Sequence, residues 1–234
     1  MKKIKLILLI SIITLSSCDI LEEVLNSAST VPSSLSNEDI IAGLKDALSI
    51  GTSNSVGVLS QEGGFLNNPA LKIPFPAEAK IVEDKLRQIG AGKMVDDFVA
   101  NMNKGASEAV KEATPIFSNA IKRMTFADAK QILQGPDNAA TNYFKDKTSV
   151  QLSNLFKPKV QQTLDRVKVT KYWSDIMSTY NKIPFTQKIE TDLAKYVTDK
   201  AMEGLFTKIA EEEKKIRTDP VARVTDILKK VFGF

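Results

Sequence analysis

Apolar residues recur at intervals of three and four along the chain after residue 36, and this spacing constrains the fold more than any other feature. The first such segment begins at Asn37 and places one set of residues on a common face: Ile40, Ile41, Leu44, Ala47 and Leu48. A period of 3.6 residues is typical of an amphipathic helix, whereas a half-buried strand alternates every second residue. The sequence shows neither convincing strand alternation nor a solenoid repeat. It therefore predicts an all-α domain built as a multi-helix bundle.

Two long helices that each contain a proline are predicted within this domain. The first carries an apolar stripe over residues 95–124 and is expected to kink near Pro115, and the second covers residues 143–167 and is expected to bend at Pro158. Proline lacks a backbone donor and its ring clashes with the preceding turn of a helix. The segment 63–76, with three prolines and alternating apolar residues, instead predicts an ordered, extended loop packed against the helices.

Shorter helices are indicated by the residues at their ends. Thr125 precedes Asp128 by three residues, the spacing of a capping box. Asp219 followed by Pro220 predicts the N-cap and first turn of a terminal helix. The apolar face of that helix would consist of Val221, Val224, Ile227, Leu228 and Val231. The helix expected after the proline-rich loop would have on its inward face Val82, Leu86 and Ile89.

The first 17 residues have the order of a bacterial export signal. Three lysines occur among the first five residues, residues 4–15 are almost wholly apolar, and two serines lead into Cys18. An apolar run of about a dozen residues is too short to cross a bilayer as a helix, which takes about 20 residues. We therefore predict that residues 1–17 are a removable lipoprotein signal peptide.

The sequence Leu15-Ser16-Ser17-Cys18 resembles the lipobox of bacterial lipoproteins, in which an apolar residue and two small residues precede an invariant cysteine. The resemblance implies that the thiol of Cys18 is diacylated and that its new amino group is acylated. The alternative is an ordinary signal peptide with a chance cysteine nearby. Because two or more acyl chains give stable anchoring, lipidation of Cys18 would make the membrane the first partner of this protein.

Residues 18–36 are predicted to be a flexible tether, which leaves residues 37–234 as the helical domain. The tether is rich in serine and has Asp19, Glu22 and Glu23 beside the cysteine. Its acidic start resembles signals that send lipoproteins to the cell surface in some bacteria, whereas in others an aspartate at this position retains them in the inner membrane. A merely soluble spacer is the third interpretation. We expect an exported protein anchored to the outer membrane, with the periplasmic or surface face left open.

The charge balance after removal of the signal disfavours nucleic acid as a partner. Three of the 32 basic residues and none of the 28 acidic residues lie in residues 1–17, so 29 basic and 28 acidic residues remain, a net charge of about +1. Binding of nucleic acid depends on neutralising phosphates.

Since Cys18 is the only cysteine, the mature chain also has no disulfide, and its stability must come from its core. That core can belong to one sizeable domain or to two small ones.

Residue types exclude much catalytic chemistry. The chain has no histidine, which excludes Ser-His-Asp triads, Cys-His pairs and zinc held by histidine. The only thiol, that of Cys18, is expected to carry the lipid. The three consecutive glutamates at residues 211–213 are interpreted as a solvated helix face. We therefore expect no catalysis, no cofactor and no metal. The alternative is an envelope enzyme that uses a carboxylate or a lysine as its base.

Several segments resemble the bacterial family named domain of unknown function 4197. The likeness is carried by residues 43–48, 68–74, 97–98, 102–103, 124–125, 128–129, 139–141, 143–144, 196–198, 204–206, 216–223 and 228–233. It spans nearly the whole domain, from about residue 37 to residue 233. The resemblance implies an exported, helical protein of one domain, and it implies no reaction.

These observations favour a non-catalytic envelope lipoprotein that binds an envelope protein or an apolar or lipid ligand between its helices, in part because the loop around Ile73 and Phe75 is apolar. The candidate binding residues in the segments of family likeness are Asn103, Tyr143, Arg217 and Arg223. Each has a structural alternative. Asn103 can bond between helices, Tyr143 can be half-buried core, and the two arginines can pair with helix C-termini or nearby acids.

Overall fold

The first helix begins where the serine-rich segment gives way to the helical period. Ser36 caps α1 (Asn37–Leu59) with a capping box: its Oγ accepts the Asp39 N–H at 3.0 Å, and the Asp39 carboxylate accepts the Ser36 N–H at 3.3 Å. The face of α1 that carries Leu44 and Leu48 is buried, as the spacing of the apolar residues predicts.

The structure is a computed structural model that describes residues 36–166, 170, 173, 174, 177, 178, 181, 182, 188 and 192–232. The predicted signal peptide 1–17, the lipidation site Cys18 and all of the predicted tether except Ser36 lie outside the described residues. These three predictions therefore stay predictions.

The described residues form helices joined by turns, and no strand occurs among them, which confirms the all-α prediction. After α1 the α-helices are α2 (Lys80–Gln88), α3 (Gly92–Val110), α4 (Ala113–Arg123), α5 (Phe126–Gln134), α6 (Ala139–Arg166), α7 (Leu193–Thr218) and α8 (Asp226–Phe232). Short 3-10 turns cover Ala77–Ala79 and Pro220–Ala222. Within this described part, none of the helices combines the length and the apolar character needed to cross a bilayer.

The helices α6 and α7 form the centre of the bundle. They pack along each other, α3 packs against both, and α1 packs against α7, α4 and α8. The side chains between them are almost completely buried and include Phe117, Phe144, Leu152, Phe156, Leu164, Val197 and Leu205. The core thus consists largely of the apolar positions that the helical period selects.

The apolar stripe over residues 95–124 belongs to two helices, so the prediction of one long kinked helix is wrong here. α3 ends at Val110 and α4 begins at Ala113, which places the break before Pro115. Pro115 has no N–H to donate to the carbonyl of Lys111. It is the third residue of α4, within the first turn, where backbone N–H groups have no partner inside a helix. The proline therefore starts a new helix instead of bending an existing one.

The second proline-containing helix is one continuous α-helix through Pro158, while the bend expected there stays a prediction. α6 spans Ala139–Arg166 and includes Pro158. The missing N–H of Pro158 leaves the carbonyl of Asn154 without its helical partner, and because Asn154 is exposed, water can replace that bond. A proline on the outer face of a well-packed helix is therefore accommodated.

The proline-rich segment is an ordered loop packed against the helices, as predicted. The prediction that it is extended is wrong for its first part, because residues 62–67 and 69–71 form turns closed by backbone hydrogen bonds such as that from the Asn67 N–H to the Gly63 carbonyl at 2.8 Å. Its apolar side chains Phe65, Leu71, Ile73 and Phe75 are all buried in the core of the domain. These four side chains therefore contribute mainly to the core, although Phe75 and the partly buried Leu66 also line an open hollow of about 770 Å³.

Ile89 is 77% exposed, although the helical period predicts that it faces inward. Val82 and Leu86 do pack partly against the core. α2 ends at Gln88, and Gly90 follows with a φ of +82°, a left-handed conformation that favours glycine. The chain thus leaves the helical path before Ile89 can reach the core.

Val221 and Val224 are also exposed, which corrects the prediction that they face inward on the terminal helix. Asp219 accepts the Val221 N–H at 2.9 Å as a cap, but the turn that it starts is the short 3-10 turn Pro220–Ala222. α8 begins only at Asp226. The two valines therefore precede the terminal helix and lie outside its buried face.

Candidate functional site

Asn103, on α3, attaches the proline-rich loop to the helical core. Its Oδ1 accepts the Ile73 N–H at 2.8 Å, and its Nδ2 donates to the carbonyls of Ile73 and Val99, each at 2.8 Å. An amide offers two donor and two acceptor positions, and three of these four are used on backbone groups. Since Asn103 is also only 1% exposed, its side chain holds the loop and does not face a ligand.

The attached loop places Phe75 in a cluster of three aromatic rings. The ring centroid of Phe75 lies 4.9 Å from that of Phe98 and 5.6 Å from that of Trp173, and the Phe98 and Trp173 centroids are 5.4 Å apart. These separations are typical of favourable tilted and edge-to-face contacts. Trp173 is therefore a core residue at the junction of the loop and α3.

The carboxylate of Glu213, on α7, caps the N-terminus of α6. One oxygen accepts the Ala140 N–H at 2.9 Å, and the other accepts the Thr141 N–H at 2.9 Å and the Thr141 hydroxyl at 2.8 Å. The first N–H groups of a helix have no helical partner, and the helix dipole favours an anion there. Glu213 is 7% exposed, so the interpretation of residues 211–213 as a solvated face is wrong at this position.

Glu212 corrects the same interpretation, since it is 8% exposed. Its carboxylate accepts hydrogen bonds from Lys215 Nζ at 2.7 Å and from Asn54 Nδ2 at 3.2 Å. Burial opposes ionisation of Glu212, but the hydrogen bonds and charge of its partners outweigh burial and lower its pKa. Two of the three glutamates thus join α7 to its neighbours.

Arg217 and Arg223 belong to the network around Glu213. Arg217 donates from Nε and Nη2 to Glu213 Oε1 at 3.2 and 2.9 Å, and from Nη2 to the carbonyl of Ile132, on α5, at 2.8 Å. Arg223 donates to the carbonyls of Ile216 and Arg217 at 3.0 and 2.9 Å, near the end of α7. Both guanidinium groups therefore form hydrogen bonds within the protein. This agrees with the structural alternative for these residues, in which each arginine pairs with a helix C-terminus or a nearby acid.

A hollow of about 20 Å³ lies beside this network, between α1, α6 and α7. Most of its lining is apolar and includes Leu44, Leu48, Phe144, Ile209 and Ile216, with Glu213 and Arg217 at one side. A water molecule needs about 10–15 Å³ of such space, whereas sites for small organic ligands measure about 300 Å³ or more. This hollow can therefore hold a water molecule but not an acyl chain.

Tyr143, on α6, lies where two open surface hollows of about 550 and 340 Å³ adjoin. Both are lined by Asp128, Tyr143 and Lys147. We call the two together the Tyr143 groove, whose further lining includes Ile116, Asn119, Arg123, Gln131, Asn142, Asp146 and Gln151. The groove combines an aromatic ring with charges of both signs and with amide groups.

The side chains at the centre of the Tyr143 groove contact one another and the backbone of α4. The Tyr143 hydroxyl donates to the carbonyl of Ala120 at 3.3 Å, and burial and the charge of Asp128 raise the pKa of that hydroxyl. The Lys147 ammonium lies 5.8 Å from the centroid of the Tyr143 ring, within the range of a cation–π contact. The groove thus has an ordered base.

The predicted capping box at Thr125 keeps Asp128 ionised in the same groove. The Asp128 carboxylate accepts the Thr125 N–H at 2.9 Å and its hydroxyl at 2.7 Å, while the Thr125 Oγ1 accepts the Asp128 N–H at 3.2 Å. The bonds from Thr125 lower the pKa of Asp128, and the charge of Lys147 adds to this effect. The capping box is therefore confirmed, and it supplies a permanent negative charge to the groove at neutral pH.

The four candidate residues do not form one site. Arg217 and Arg223 meet at the Glu213 network, Tyr143 lies in its groove, and Asn103 binds the loop through Ile73. The sequence prediction missed Glu213, although its i, i+4 spacing to Arg217 is that of a helical ion pair and was the available signal. Within the described ranges, no group of three or more histidine, cysteine, aspartate or glutamate side chains could hold a metal ion.

A sequence model of the family described as "Protein of unknown function (DUF4197)" matches residues 34–233. The chain belongs to the DUF4197 family. The matched residues include every helix described above, which confirms the resemblance seen in the sequence. No curated protein and no solved structure matches the chain significantly.

The segments that carry the DUF4197 likeness bind one another in the folded domain. Asn103 bonds to Ile73, so the segments 102–103 and 68–74 meet, and Glu213 with Arg217 joins the segments 139–141 and 216–223. These contacts hold the loop and the ends of the central helices in place.

Proposed function

We propose that this DUF4197 chain is a lipoprotein of the bacterial envelope, anchored through Cys18, whose helical domain binds a protein partner in the Tyr143 groove without catalysing a reaction. The observation that carries this proposal is the groove itself, an open surface with an ordered tyrosine between the charges of Asp128 and Lys147. Tyrosine is enriched at protein interfaces because one ring supplies both apolar area and a polar group.

Recognition is favoured over catalysis by the way in which the other candidate residues are used. Asn103 binds backbone groups of the loop, and Arg217 and Arg223 bind Glu213 and helix carbonyls. The chain also has no histidine to act as a base near neutral pH. The polar groups described here therefore support the fold more directly than they support a reaction.

A protein partner is favoured over a lipid ligand by the small size of the hollow beside Glu213 and by the polarity of the Tyr143 groove. The hollow beside Glu213 measures about 20 Å³. A larger open hollow of about 770 Å³, which Leu66 and Phe75 of the proline-rich loop line, also carries charged side chains, namely Lys80, Glu83, Arg87, Asp96 and Asp97. The Tyr143 groove is lined by charged and amide side chains, which suit the mixed donors and acceptors of a polypeptide surface. An acyl chain would leave these polar groups without partners.

The anchor is supported by residues 1–18, whose order of lysines, apolar run, serines and cysteine is that of a lipoprotein precursor. Acylation of Cys18 would hold the domain at the outer membrane, where its partner would be another envelope protein. The groove and the anchor are independent parts of the proposal, and each has its own test.

The groove is tested by site-specific photocrosslinking of the full chain in growing bacteria. A photoreactive amino acid is placed at Gln131 or Gln151, one in each half of the groove, and at Val150 as a matched control that is 75% exposed on α6. We expect the same discrete protein adduct from the two groove positions, its loss when Tyr143→Ala and Lys147→Glu are added, and no such adduct from Val150. Adducts of equal yield at Val150, or none at either groove position, would overturn the proposed partner site.

A further inference from the structure

The Tyr143 groove has two halves whose linings carry opposite net charges. Asp128, Tyr143 and Lys147 line both halves. The half of about 340 Å³ adds Arg123, so two cations face one anion and the net charge is +1. We call it the Arg123 half. The half of about 550 Å³ adds Asp146, so two anions face one cation and the net charge is −1. A partner that fits both halves has to present opposite charges to them.

The two cations of the Arg123 half are not neutralised by an ion pair. Among the residues that the structure describes, neither Arg123 nor Lys147 forms one. Lys147 lies against the Tyr143 ring, and its charge contributes to the lowered pKa of Asp128. The Asp128 carboxylate itself accepts two hydrogen bonds from Thr125. Since the one acid of this half is used in a helix cap, the charge of Arg123 is available to a partner.

The amide side chains of the Arg123 half are available as well. Asn119 on α4 and Gln151 on α6 are exposed, and within the described part of the chain neither side-chain amide forms a hydrogen bond. Guanidinium and ammonium groups donate hydrogen bonds and cannot accept them, and each amide adds two further donors. This half therefore presents an excess of donors, which an acceptor such as a carboxylate satisfies.

A single carboxylate matches the charge of the Arg123 half better than a phosphate group does. A carboxylate carries one negative charge, equal and opposite to the net charge of the lining, and it forms strong charge-assisted hydrogen bonds with arginine. A phosphate monoester carries about −1.5 to −2 at neutral pH and would be repelled more strongly by the ionised Asp128. The lining thus favours the acidic side chain of a polypeptide.

We propose that the Arg123 half of the Tyr143 groove binds an aspartate or glutamate side chain of a polypeptide segment, and that a basic residue of the same segment lies beside Asp146. This inference rests on the proposed function, because it specifies the partner of the same groove. The carboxylate of the segment bonds to Arg123 and Lys147, and the segment crosses the Tyr143 ring to the other half. The partner is thus recognised by two opposite charges in a fixed order.

The first test adds Arg123→Glu to the photocrosslinking of the full chain from position 151. The matched control is Arg166→Glu, because Arg123 and Arg166 are both exposed and each is the last residue of its helix, so both substitutions place an acid at a helix C-terminus. We expect the yield of the protein adduct to fall at least about tenfold with Arg123→Glu, and to stay within about threefold with Arg123→Lys or Arg166→Glu.

The outcomes of this test distinguish the acidic segment from the groove itself. An adduct that Tyr143→Ala with Lys147→Glu abolishes, but that Arg123→Glu leaves unchanged, would overturn the acidic segment and leave the groove as the partner site. Equal losses with Arg123→Glu and Arg166→Glu would also overturn the acidic segment. No adduct at either groove position would overturn both proposals.

A second measurement tests the charge order without the natural partner. The purified mature chain with Cys18→Ser selects from a library of short random peptides displayed on phage. We expect peptides that combine an acidic with a basic residue to be enriched by this chain and by the same chain with Arg166→Glu. Adding Arg123→Glu and Lys147→Glu should remove the preference for the acidic residue. The same content of aspartate and glutamate in the peptides selected by all three chains would overturn the proposal.

Discussion

Glu213 and Thr141 are joined by two hydrogen bonds although 72 residues separate them in the chain: one carboxylate oxygen accepts the Thr141 N–H at 2.9 Å and its hydroxyl at 2.8 Å. This contact fixes the start of α6 against the C-terminal part of α7, and these two helices form the centre of the bundle. Arg217 neutralises the same carboxylate from the next turn of α7. Glu213 thus combines a helix cap with a largely buried ion pair to Arg217, and its loss should affect the whole domain.

Replacing Glu213 by alanine should lower the free energy of unfolding by about 3 kcal/mol, because it leaves Arg217 and the first N–H groups of α6 without their partner. Urea denaturation at neutral pH measures the change. The matched control is Glu211→Ala, since Glu211 is exposed and pairs only at the surface with Lys208; its effect should stay within about 0.5 kcal/mol. Equal effects of the two substitutions would contradict a capping role for Glu213.

Asn103→Ala should release the proline-rich loop, since three bonds to backbone groups are lost and buried polar groups of Ile73 remain unpaired. We expect a loss of about 2–3 kcal/mol of stability and a red shift of tryptophan emission, because Phe75 covers Trp173, the only tryptophan of the chain. Asn101→Ala serves as the control, since Asn101 donates only to Asp97 on its own helix. Unchanged emission in Asn103→Ala would show that the loop is held by other contacts.

Two glycine-to-alanine substitutions should have opposite signs. In α7, a Cβ on Gly204 would lie 2.7 Å from a ring carbon of Phe65. Because the Phe65 ring is completely buried, it cannot move aside easily. Gly204→Ala should therefore lower the midpoint of thermal unfolding. In α1, a Cβ on Gly57 would meet no atom within 4 Å, so Gly57→Ala should raise stability by up to about 1 kcal/mol through helix propensity. Stabilisation by both substitutions would refute the close packing of Phe65 on α7.

The fold was largely predictable because the signals for helices are local. The period of apolar residues identified the buried face of α1, and the spacing of Thr125 and Asp128 identified a capping box that the structure contains. The division of residues 95–124 was missed because periodicity alone does not say whether a proline bends a helix or starts one. The exposure of Ile89 was missed because the helix ends at Gln88, so the helical period no longer applies at residue 89.

The candidate site was less predictable because it depends on contacts between distant segments. Glu213 is buried only because the N-terminus of α6 meets it, and nothing within residues 211–213 indicates that meeting. The same holds for Asn103, whose partners on the loop lie 30 residues away. Tyr143 was identified as a candidate, but the groove around it arises from the arrangement of α4, α5 and α6, which local patterns do not specify.

Stability should fall in acid because several carboxyl groups are more acidic in the folded chain than in the unfolded one. The pKa values of Asp128 and Asp192 are lowered from 3.8 and that of Glu212 from 4.5. A carboxyl group whose pKa is lowered by folding stabilises the fold fully at a pH above its pKa in the unfolded chain. This contribution is lost as the pH falls below that value and through the lowered pKa of the folded chain.

Urea denaturation at pH 7 and pH 3 measures this dependence. Asp128→Asn and Glu212→Gln should each lower stability at pH 7 and should each reduce the difference between the two pH values. Asp165→Asn, at an exposed position of α6, should leave the difference nearly unchanged. A pH dependence that neither Asp128→Asn nor Glu212→Gln reduces would show that other carboxyl groups cause it.

The most direct test of the proposed lipid-anchored function is the intact mass of the protein extracted from the membranes of the bacterium that makes it. We expect a chain that begins at Cys18 and exceeds the mass of residues 18–234 by a diacylglyceryl group and one further acyl chain, with both additions absent in Cys18→Ser. A chain that keeps residues 1–17, or one that is cleaved at another position and carries no lipid, would contradict the proposed anchor.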